Sequence, residues 1–282
     1  MNFSIVIPAH NESSVIGQTL QSLVEQTLRP KQVVVVNDHS TDATQSVIEK
    51  FTNKHPWISS LQIDSSEEHL PGSKIINAFY KGFELLDGNY DVICKFDADL
   101  IFPSEYLERL SEHFTDNGKL GMVAGFCYIE QNGRWVLENL TRKDHIRGAL
   151  KAYRKQCFED IGQLKPAMGW DTVDELLAKF HGWHLLTDAS LKVKHLKPTG
   201  ANYNKASKYL QGEAMYRMRY GFWITLITAV KLALKKRRPS LIQDYLSGYF
   251  KASKNKKSFL VTKEQGQFIR SLRWQGIKEK LI

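Results

Sequence analysis

The sequence predicts an α/β fold with a Rossmann-like, doubly wound and mostly parallel sheet, followed by a mainly helical, basic C-terminal extension. First, short apolar runs alternate with amphipathic helical patterns over residues 3–96, as in repeated β-α units. Second, 282 residues with 42% hydrophobic composition can bury one large core and carry an appendage. Third, the excess of basic residues lies only after residue 200.

Four apolar runs predict the strands of the parallel part of the sheet. The second run is continuous, which suits a strand buried on both faces. The strands are predicted at residues 3–7, 32–36, 61–63 and 91–96. Apolar residues at helical spacing between these runs predict helices at residues 15–24, 43–51 and 73–86.

Polar residues gather where three of these strands end. They are the segment from Pro8 to Glu12, then Asp38, and then the segment from Asp97 to Asp99. Ligands of a doubly wound sheet bind at the carboxyl ends of the strands, so we expect the three segments to line one crevice. The chain has no GxGxxG after its first strand and no GxxxxGK[ST], so a phosphate group must be held by other means.

Asp97 and Asp99 have the spacing of a metal site. Residues two apart on an extended segment point the same way, and two carboxylates that face one crevice repel each other unless a cation joins them. Mg²⁺ or Mn²⁺ would use one or both, together with water and phosphate oxygens, and would neutralise a diphosphate leaving group. The alternative is a solvated loop. Asp38 could accept the imide N–H of a base, or it could cap the following turn.

Four linked motifs follow one another along the chain: IVIPAHNE at residues 5–12, VNDHSTD at 36–42, KIINA at 74–78 and FDAD at 96–99. Their order and separations resemble those of family 2 glycosyltransferases, inverting enzymes of the GT-A fold that use nucleotide sugars. The resemblance covers roughly residues 3–200. It implies a GT-A catalytic domain at 1–200, with a nucleotide-binding half at 1–100 and an acceptor half at 101–200, before a basic helical region at 201–282.

The resemblance implies the residues that bind the donor. Asp38 would read the base, Lys74 would lie near the nucleotide or its phosphates, and Asp97 would approach the ribose. Gly125, in the segment VAGF, would leave room for the donor sugar; the alternative is an ordinary close approach of strands. The implied donor-binding residues are Pro8, Ala9, Glu12, Asp38, Lys74, Asp97, Ala98 and Gly125.

The segment GWDTVDE at residues 169–175 resembles the part of the family that carries the catalytic base. The family writes it Glu-Asp, followed eleven residues later by a glycine, and this register makes Asp171 the base with Trp170 in place of the usual Glu. Asp174 and Glu175 remain candidates, because the three carboxylates could share one face of a helix. One of them could instead cap that helix.

The resemblance also implies the metal and the reaction. His195 falls where many GT-A enzymes place a histidine against the metal or diphosphate, with a structural role as its alternative. The implied metal site is Asp99, Asp97 and His195, and its cofactor is Mn²⁺ or Mg²⁺. A UDP-sugar is the favoured donor, with GDP- and dTDP-sugars as alternatives, and the acceptor is a hydroxyl of a glycan or polyprenyl-linked molecule in cell-surface polysaccharide synthesis.

Two other functions use the same features. One is a catalytically inactive GT-A module that binds a sugar nucleotide or an assembly. The other is a nucleotidyltransferase, which would have similar strand-end carboxylates but normally a Gly- and Arg/Lys-rich loop after its first strand. The segment from Pro8 to Glu12 does not resemble that loop.

The C-terminal region is the basic part of the chain. Residues 201–282 contain 18 Lys and Arg against 4 Asp and Glu, whereas residues 1–200 contain 21 against 26. Residues 220–234 are mostly apolar and precede a Lys-Lys-Arg-Arg run. As a helix they would reach ~22 Å, short of the ~30 Å hydrocarbon core of a bilayer. Their polar stripe would be Thr225, Thr228, Lys231 and Lys235.

This composition favours a helix that lies on an anionic membrane surface. The alternatives are packing against the catalytic domain or against a second subunit. Nucleic-acid binding is not predicted, because the chain has no zinc-finger spacing and no recognisable RNA-binding motif.

Cysteine usage and the N-terminal residues indicate a compartment. Cys94, Cys127 and Cys157 are widely spaced without a CxxC pair, so they are expected to be buried thiols in a reducing cytosol. The first residues do not have the pattern of a signal peptide. We therefore expect a cytoplasmic protein, peripheral on the cytoplasmic face of the cell membrane.

Overall fold

The computed structural model describes residues 1–65, 72–138, 144–197 and 209–279. The strands are β1 (Phe3–Ala9), β2 (Gln32–Asp38), β3 (Ile58–Ile63), β4 (Val92–Phe96), β5 (Leu100–Ile101), β6 (Leu120–Gln131), β7 (Arg134–Leu137), β8 (Leu150–Arg154) and β9 (His184–His195). The helices are α1 (Ile16–Val24), α2 (Thr44–Thr52), α3 (Ser73–Phe83), α4 (Tyr106–Asp116), α5 (Lys155–Asp160), α6 (Trp170–Phe180), α7 (Leu210–Arg217), α8 (Phe222–Lys236), α9 (Ser240–Lys254) and α10 (Lys263–Lys278).

The strands form one mixed sheet in the order β3-β2-β1-β4-β8-β6-β9-β5, with β7 paired to β6. Strands β1 to β4 are parallel. Beyond β4, the strand β8 runs antiparallel to both of its neighbours, β4 and β6. The predicted α/β class with a doubly wound sheet is confirmed, and the carboxyl ends of β1, β2 and β4 lie at the same edge.

The parallel half is held by apolar strands with helices packed against them. Val33 to Val36 are fully buried, as expected of a strand covered on both faces. Gly82 lets α3 approach closely, because a Cβ at this position would lie 2.6 Å from Val6 Cγ1 and 2.7 Å from Val36 Cγ2. These contacts fix the strands whose ends carry the predicted site.

A buried threonine on α1 holds the loop between β4 and β5. The Thr19 hydroxyl donates to the carbonyl oxygen of Ala98 at 2.7 Å and accepts the Leu100 N–H at 3.0 Å. Both interactions are buried, where a hydrogen bond left unmade would cost about 1–3 kcal/mol. Thr19 therefore positions the backbone that carries Asp97 and Asp99.

The C-terminal helices pack on one another and on α6. Gly212 of α7 and Gly248 of α9 allow a close crossing, since a Cβ at either position would lie about 2 Å from a carbonyl oxygen of the other helix segment. Phe268 of α10 packs against Phe180 of α6, with ring centroids 5.6 Å apart. Over the described residues, every helix is too short or too polar to cross a membrane.

The residues of the predicted polar stripe on α8 differ in burial. Thr225 is fully buried and donates to the Gly221 carbonyl at 2.8 Å, and Thr228 donates to the Ile224 carbonyl at 2.7 Å. The predicted polar stripe therefore begins on the inward face of the helix. The Thr225 hydroxyl can be buried there because it donates to the helix backbone.

Candidate active site

The loop after β4 carries two carboxylates with different partners. Lys95 is buried and forms an ion pair with Asp97, while also donating to the Gly148 carbonyl at 3.2 Å. Asp97 keeps 28% of its side chain exposed, and Asp99 keeps 11%. The Lys95 ammonium lies 5.4 Å from the centre of the Trp170 ring. Lys95 thus connects this loop to the beginning of α6.

The pairing of β5 with β9 brings His195 to Asp99. Leu100 is paired with His195 in this register, and Nε2 of His195 lies 3.3 Å from Oδ2 of Asp99. Nδ1 of the same ring lies 2.9 Å from Oε2 of Glu138, whose Oε2 also accepts from Nη1 of Arg147 at 2.5 Å. Burial lowers the pKa of His195, but contact with Asp99 and Glu138 outweighs burial and raises it to about 9.

Asp99 and His195 fit a divalent cation. Adjacent ligands on an octahedral ion with ~2.1 Å bonds are about 3 Å apart, and the two facing atoms here are 3.3 Å apart. Glu138 binds the other ring nitrogen, as carboxylates commonly do behind a metal-bound histidine. Cys127 also lies within 4.8 Å of Glu138 and His195, but burial raises the pKa of its thiol to about 12. A protonated thiol is a poor ligand for Mg²⁺ or Mn²⁺.

The loop after β1 places Glu12 in the same region. Its Oε2 lies 2.6 Å from Nζ of Lys197, just after β9. Burial raises the pKa of Glu12, the ion pair with Lys197 opposes the rise, and the charges of Asp99 and Asp97 add to it. We call the group Glu12, Asp97, Asp99, Glu138 and His195 the strand-end cluster.

The loops after β1 and β2 are hydrogen-bonded to each other. Asn11, at a φ of 54°, donates its N–H to Oγ of Ser40 at 2.9 Å and accepts the Thr41 N–H through its side chain at 2.9 Å. The N–H of Glu12 donates to Oγ1 of Thr44 at 2.8 Å. Pro8 and Ala9 end β1 beneath these contacts and are buried. The predicted nucleotide loop is therefore held in one conformation by its neighbour.

Asp38 is buried at the end of β2, and both of its carboxylate oxygens are engaged. Oδ1 accepts the Ser65 N–H at 3.1 Å and Oδ2 accepts the Ser65 hydroxyl at 2.8 Å. Each carboxylate oxygen retains a further lone pair, so a base N–H could still bind.

Lys74 is the second residue of α3. This helix begins close to Ala167, since a Cβ at Gly72 would lie 2.5 Å from the Ala167 carbonyl oxygen.

Gly125 lies inside β6, where β6 and β9 approach closely. A Cβ at Gly125 would lie 2.2 Å from the carbonyl oxygen of Leu191, and the Gly125 N–H donates to the Tyr106 hydroxyl at 3.2 Å. The expected space for a donor sugar is therefore filled by β9. The structure assigns Gly125 the alternative role, the close approach of two strands.

Helix α6 carries the three carboxylates expected to include the base. Asp174 and Glu175 are buried against Lys151, whose Nζ lies 3.1 Å from an oxygen of each. The Tyr153 hydroxyl donates to Asp174 at 2.5 Å. Asp171 lies one turn earlier and keeps 35% of its side chain exposed, against 1% for Asp174. We call Asp171, Asp174 and Glu175 the α6 cluster.

His145 contacts two acids of the α6 cluster. Its Nε2 lies 3.7 Å from Oδ2 of Asp171, and its Nδ1 lies 3.0 Å from Oε1 of Glu175. Burial lowers the pKa of His145, but both carboxylates outweigh burial and raise it to about 9. Burial acts to raise the pKa of Asp171, but His145 and Lys151 together hold it below its usual value. Asp171 is therefore ionised at neutral pH.

Asp174 and Glu175 respond to burial differently. Burial raises the pKa of Asp174 above its ordinary value, and the charge of Lys151 only partly opposes the rise. For Glu175, Lys151 and His145 together outweigh burial and lower the pKa. Lys151 thus stabilises the buried charges of Asp174 and Glu175, and His145 adds to this for Glu175.

Comparison with known proteins identifies the family. Residues 4–163, more than half of the chain, match the model of the family described as Glycosyl transferase family 2. The chain belongs to glycosyl transferase family 2. Its relatives include the probable glycosyltransferase YdaM of Bacillus subtilis (strain 168), 29% identical over 201 residues that cover 62% of this chain and 44% of YdaM.

A second relative of this family 2 glycosyltransferase is the poly-beta-1,6-N-acetyl-D-glucosamine synthase of Staphylococcus epidermidis. It is 26% identical over 188 residues, which cover 60% of this chain and 42% of the synthase. The chain therefore spans less than half the length of either relative.

Solved structures share the GT-A fold of this glycosyltransferase. S. aureus TarS 1–349 in complex with UDP-GlcNAc aligns with a TM-score of 0.59 at 20% identity, over 89% of this chain and 73% of that one. The mannosyltransferase PcManGT from Pyrobaculum calidifontis, in complex with GDP-Man and Mn²⁺, aligns with a TM-score of 0.56 at 15% identity, over 100% and 81%. At these identities the alignments show a shared fold.

In this family 2 glycosyltransferase, several predicted site residues lie together, and three further site residues were not predicted. Glu12, Asp97 and Asp99 lie in one region at the strand ends, and the pairing of β5 with β9 adds His195, which was expected there from the resemblance. Glu138, His145 and Lys151 were missed. Lys151 lies on β8, whereas Glu138 and His145 lie in the segments before and after residues 139–143, and short motifs do not mark those positions. A lysine inside a mostly apolar run, as at Lys151 between Leu150 and Ala152, was the one available signal.

Proposed function

We propose that the protein is an inverting glycosyltransferase that moves a sugar from a nucleotide diphosphate sugar to an acceptor hydroxyl. The observation that carries the proposal is the arrangement of Asp99 and His195, 3.3 Å apart at the carboxyl edge of the sheet. Glu12 and Asp97 lie in the same region. This edge is where a doubly wound sheet binds a nucleotide.

In the proposed reaction, Asp99 and His195 would hold Mn²⁺ or Mg²⁺, which would neutralise the charge on the departing nucleoside diphosphate. Asp97 hydrogen-bonds the donor, with Lys95 holding its carboxylate in place. Asp38 accepts from the base, and Pro8, Ala9 and the backbone of Ala98 line the nucleotide pocket. Lys74 contributes positive charge near the phosphates.

Asp171 is the proposed base. It takes the proton of the acceptor hydroxyl as that oxygen attacks the anomeric carbon from the face opposite the nucleotide, which inverts the configuration. Its partial exposure supports this role, because the carboxylate is accessible, and its lowered pKa keeps it ionised at neutral pH. Asp174 and Glu175 are engaged by Lys151 and serve to hold α6 in position.

The proposed donor is a UDP-sugar and the proposed acceptor is a glycan or polyprenyl-linked molecule at the cytoplasmic face of a membrane. The UDP-GlcNAc bound to TarS supports the donor, and GDP-Man in PcManGT keeps GDP-sugars as an alternative. The name of the Staphylococcus epidermidis synthase supports a role in polysaccharide synthesis. The basic C-terminal region supports the membrane location.

Thermal-shift titration tests the donor and the metal. UDP-GlcNAc, other UDP-sugars, GDP-mannose and dTDP-glucose are each added with Mn²⁺ or with EDTA. At a ligand concentration about 100 times Kd, the accepted donor should raise Tm by about 5 °C or more, and only with Mn²⁺. Asp99→Ala should abolish the shift, whereas Asp116→Ala, at an exposed position on α4, should retain it.

Product analysis tests the reaction itself. A donor that shifts Tm with Mn²⁺ should be consumed with release of its nucleoside diphosphate, and NMR of the product should show the inverted anomer. Donor binding without turnover on any glycan or polyprenyl-linked acceptor would favour the inactive binding module. Metal-independent donor binding would exclude the Asp99 and His195 site.

A further inference from the structure

The outward face of α8 is apolar. Trp223 and Leu234 are 65% and 74% exposed, and Ile227 and Val230 between them are also exposed. Their spacing of four, three and four residues places them on one stripe of the helix. The opposite side of α8 packs inward through Ile224, Thr225, Ala229 and Ala233.

Helix α9 carries a second apolar stripe, which meets the first. Ile242, Leu246 and Phe250 line one shallow groove on α9. The Phe222 ring lies 5.9 Å from the Phe250 ring and 5.2 Å from the Trp223 ring, measured between centroids. We call Trp223, Ile227, Val230, Leu234, Ile242, Leu246 and Phe250 the α8–α9 surface.

Basic residues border this surface. Between Phe222 and Lys257 the chain has nine Lys and Arg residues and one acidic residue, Asp244, which is buried. Lys231 and Lys235 directly follow Val230 and Leu234 of the stripe, and both are exposed. Lys236, Arg237, Arg238, Lys251, Lys254, Lys256 and Lys257 are also exposed.

We propose that the α8–α9 surface docks onto an anionic lipid surface, with its apolar side chains at the acyl boundary and its basic side chains among the headgroups. Exposed apolar residues bordered by lysine and arginine are the features of an interfacial helix. Lysine stems can lie along the apolar boundary while their ammonium groups reach the headgroups. Helix α8, with 15 residues, spans only ~22 Å and therefore lies in the interface.

The charge distribution favours lipid over a second copy of the chain. A twofold interface through this surface would bring the same basic residues of both copies together, and like charges opposed across an interface weaken association. An anionic leaflet instead supplies the opposite charge and removes the apolar stripes from water. The inference depends on the membrane location in the proposed function, but not on the proposed reaction.

Vesicle flotation with the full chain tests this docking. We expect binding to vesicles with 30% phosphatidylglycerol in phosphatidylcholine, and little binding to pure phosphatidylcholine. Lys235→Gln with Lys236→Gln should weaken binding by about tenfold or more, and Trp223→Ser with Leu234→Ser should abolish it. Two matched controls should bind like the parent chain. They are Lys50→Gln with Lys54→Gln, on the surface at α2, and Leu85→Ser, after α3.

Depth and fold are measured on the same variants. Brominated acyl chains should quench tryptophan fluorescence in the parent chain and quench it less in Trp223→Phe, which should still bind. The metal-dependent Tm shift with donor should be unchanged in every variant, so loss of vesicle binding cannot be confused with failure of the proposed reaction. Equal binding by the control and surface variants would overturn the inference. So would a parent chain that binds no vesicles but forms a stable dimer, if the Trp223→Ser, Leu234→Ser variant is a monomer.

Discussion

The strand-end cluster and the α6 cluster are both rich in carboxylates, but their charges are balanced in different ways. In the strand-end cluster four acids have four basic partners: Lys197 for Glu12, Lys95 for Asp97, His195 for Asp99, and both Arg147 and His195 for Glu138. In the α6 cluster, one fully buried lysine and one histidine serve three acids.

This difference separates acids that can meet a ligand from acids that hold the fold. Asp97 and Asp171 keep about a third of their side chains exposed, whereas Asp174 is enclosed with Lys151 and Tyr153. A buried ion pair with all its hydrogen bonds made is costly to break, but it has no free face for substrate. The comparison therefore supports Asp171 as the proposed base and a structural role for Asp174.

The largest expected effect is on transfer by Asp171→Asn. Removal of a general base lowers turnover by about 10²–10⁴-fold, while the metal-dependent Tm shift with donor should remain, because the strand-end cluster is intact. Asp174→Asn is the matched control on the same helix, and it should lower stability while its folded fraction keeps near-parental turnover. If Asp171→Asn turns over normally, the base is Asp174 or Glu175.

The next effect is on the stability of Lys151→Met. Loss of the buried cation leaves Asp174 and Glu175 without their shared partner, which should lower the free energy of unfolding by about 3–5 kcal/mol. Urea unfolding should show a larger loss at pH 8 than at pH 5, since the two acids can take up protons at the lower pH. Lys54→Met, at an exposed position, should change stability little. A pH-independent loss would show that packing, not charge, is the role of Lys151.

A smaller effect is expected from Glu138→Gln. Glu138 holds Nδ1 of His195 at 2.9 Å, and loss of a carboxylate behind a metal-bound histidine weakens metal binding by about 10–100-fold. Mn²⁺ affinity, measured by electron paramagnetic resonance without substrate, reports this directly. Glu130→Gln, at an exposed position on β6, is the matched control. Unchanged Mn²⁺ affinity in Glu138→Gln would mean that His195 is positioned by the strand alone.

The smallest effect concerns pH and His145. Its pKa is about 9 in the folded protein, against 6.5 ordinarily, so its stabilising charge is present below pH 6.5 and is lost as pH rises through 9. The Tm difference between the parent chain and His145→Gln should therefore be larger at pH 6.5 than at pH 9.5. Scanning calorimetry at the two pH values measures it. A difference that stays constant would show that His145 acts by packing alone.

Sequence patterns were sufficient for the parallel half of the fold. Continuous apolar runs predicted β1, β2 and β4 because a strand buried on both faces needs apolar residues at every position. Asp97, Asp99 and Glu12 could be placed together because parallel strands end at one edge of the sheet. His195 was added by resemblance, and its contact with Asp99 depends on the pairing of β5 with β9.

Contacts between distant segments decided the ion-pair partners and the exposed faces that the sequence did not predict. Strand β8 lies between β4 and β6, and only this insertion brings Lys151 beneath α6 and Arg147 to Glu138. Likewise, the outward face of α8 depends on which side packs inward, and Thr225 could be buried because its hydroxyl bonds the helix backbone. Local pattern thus specified the strands and their terminal acids, whereas tertiary packing set the partners and exposure of each acid, because burial and ion pairing depend on segments distant in sequence.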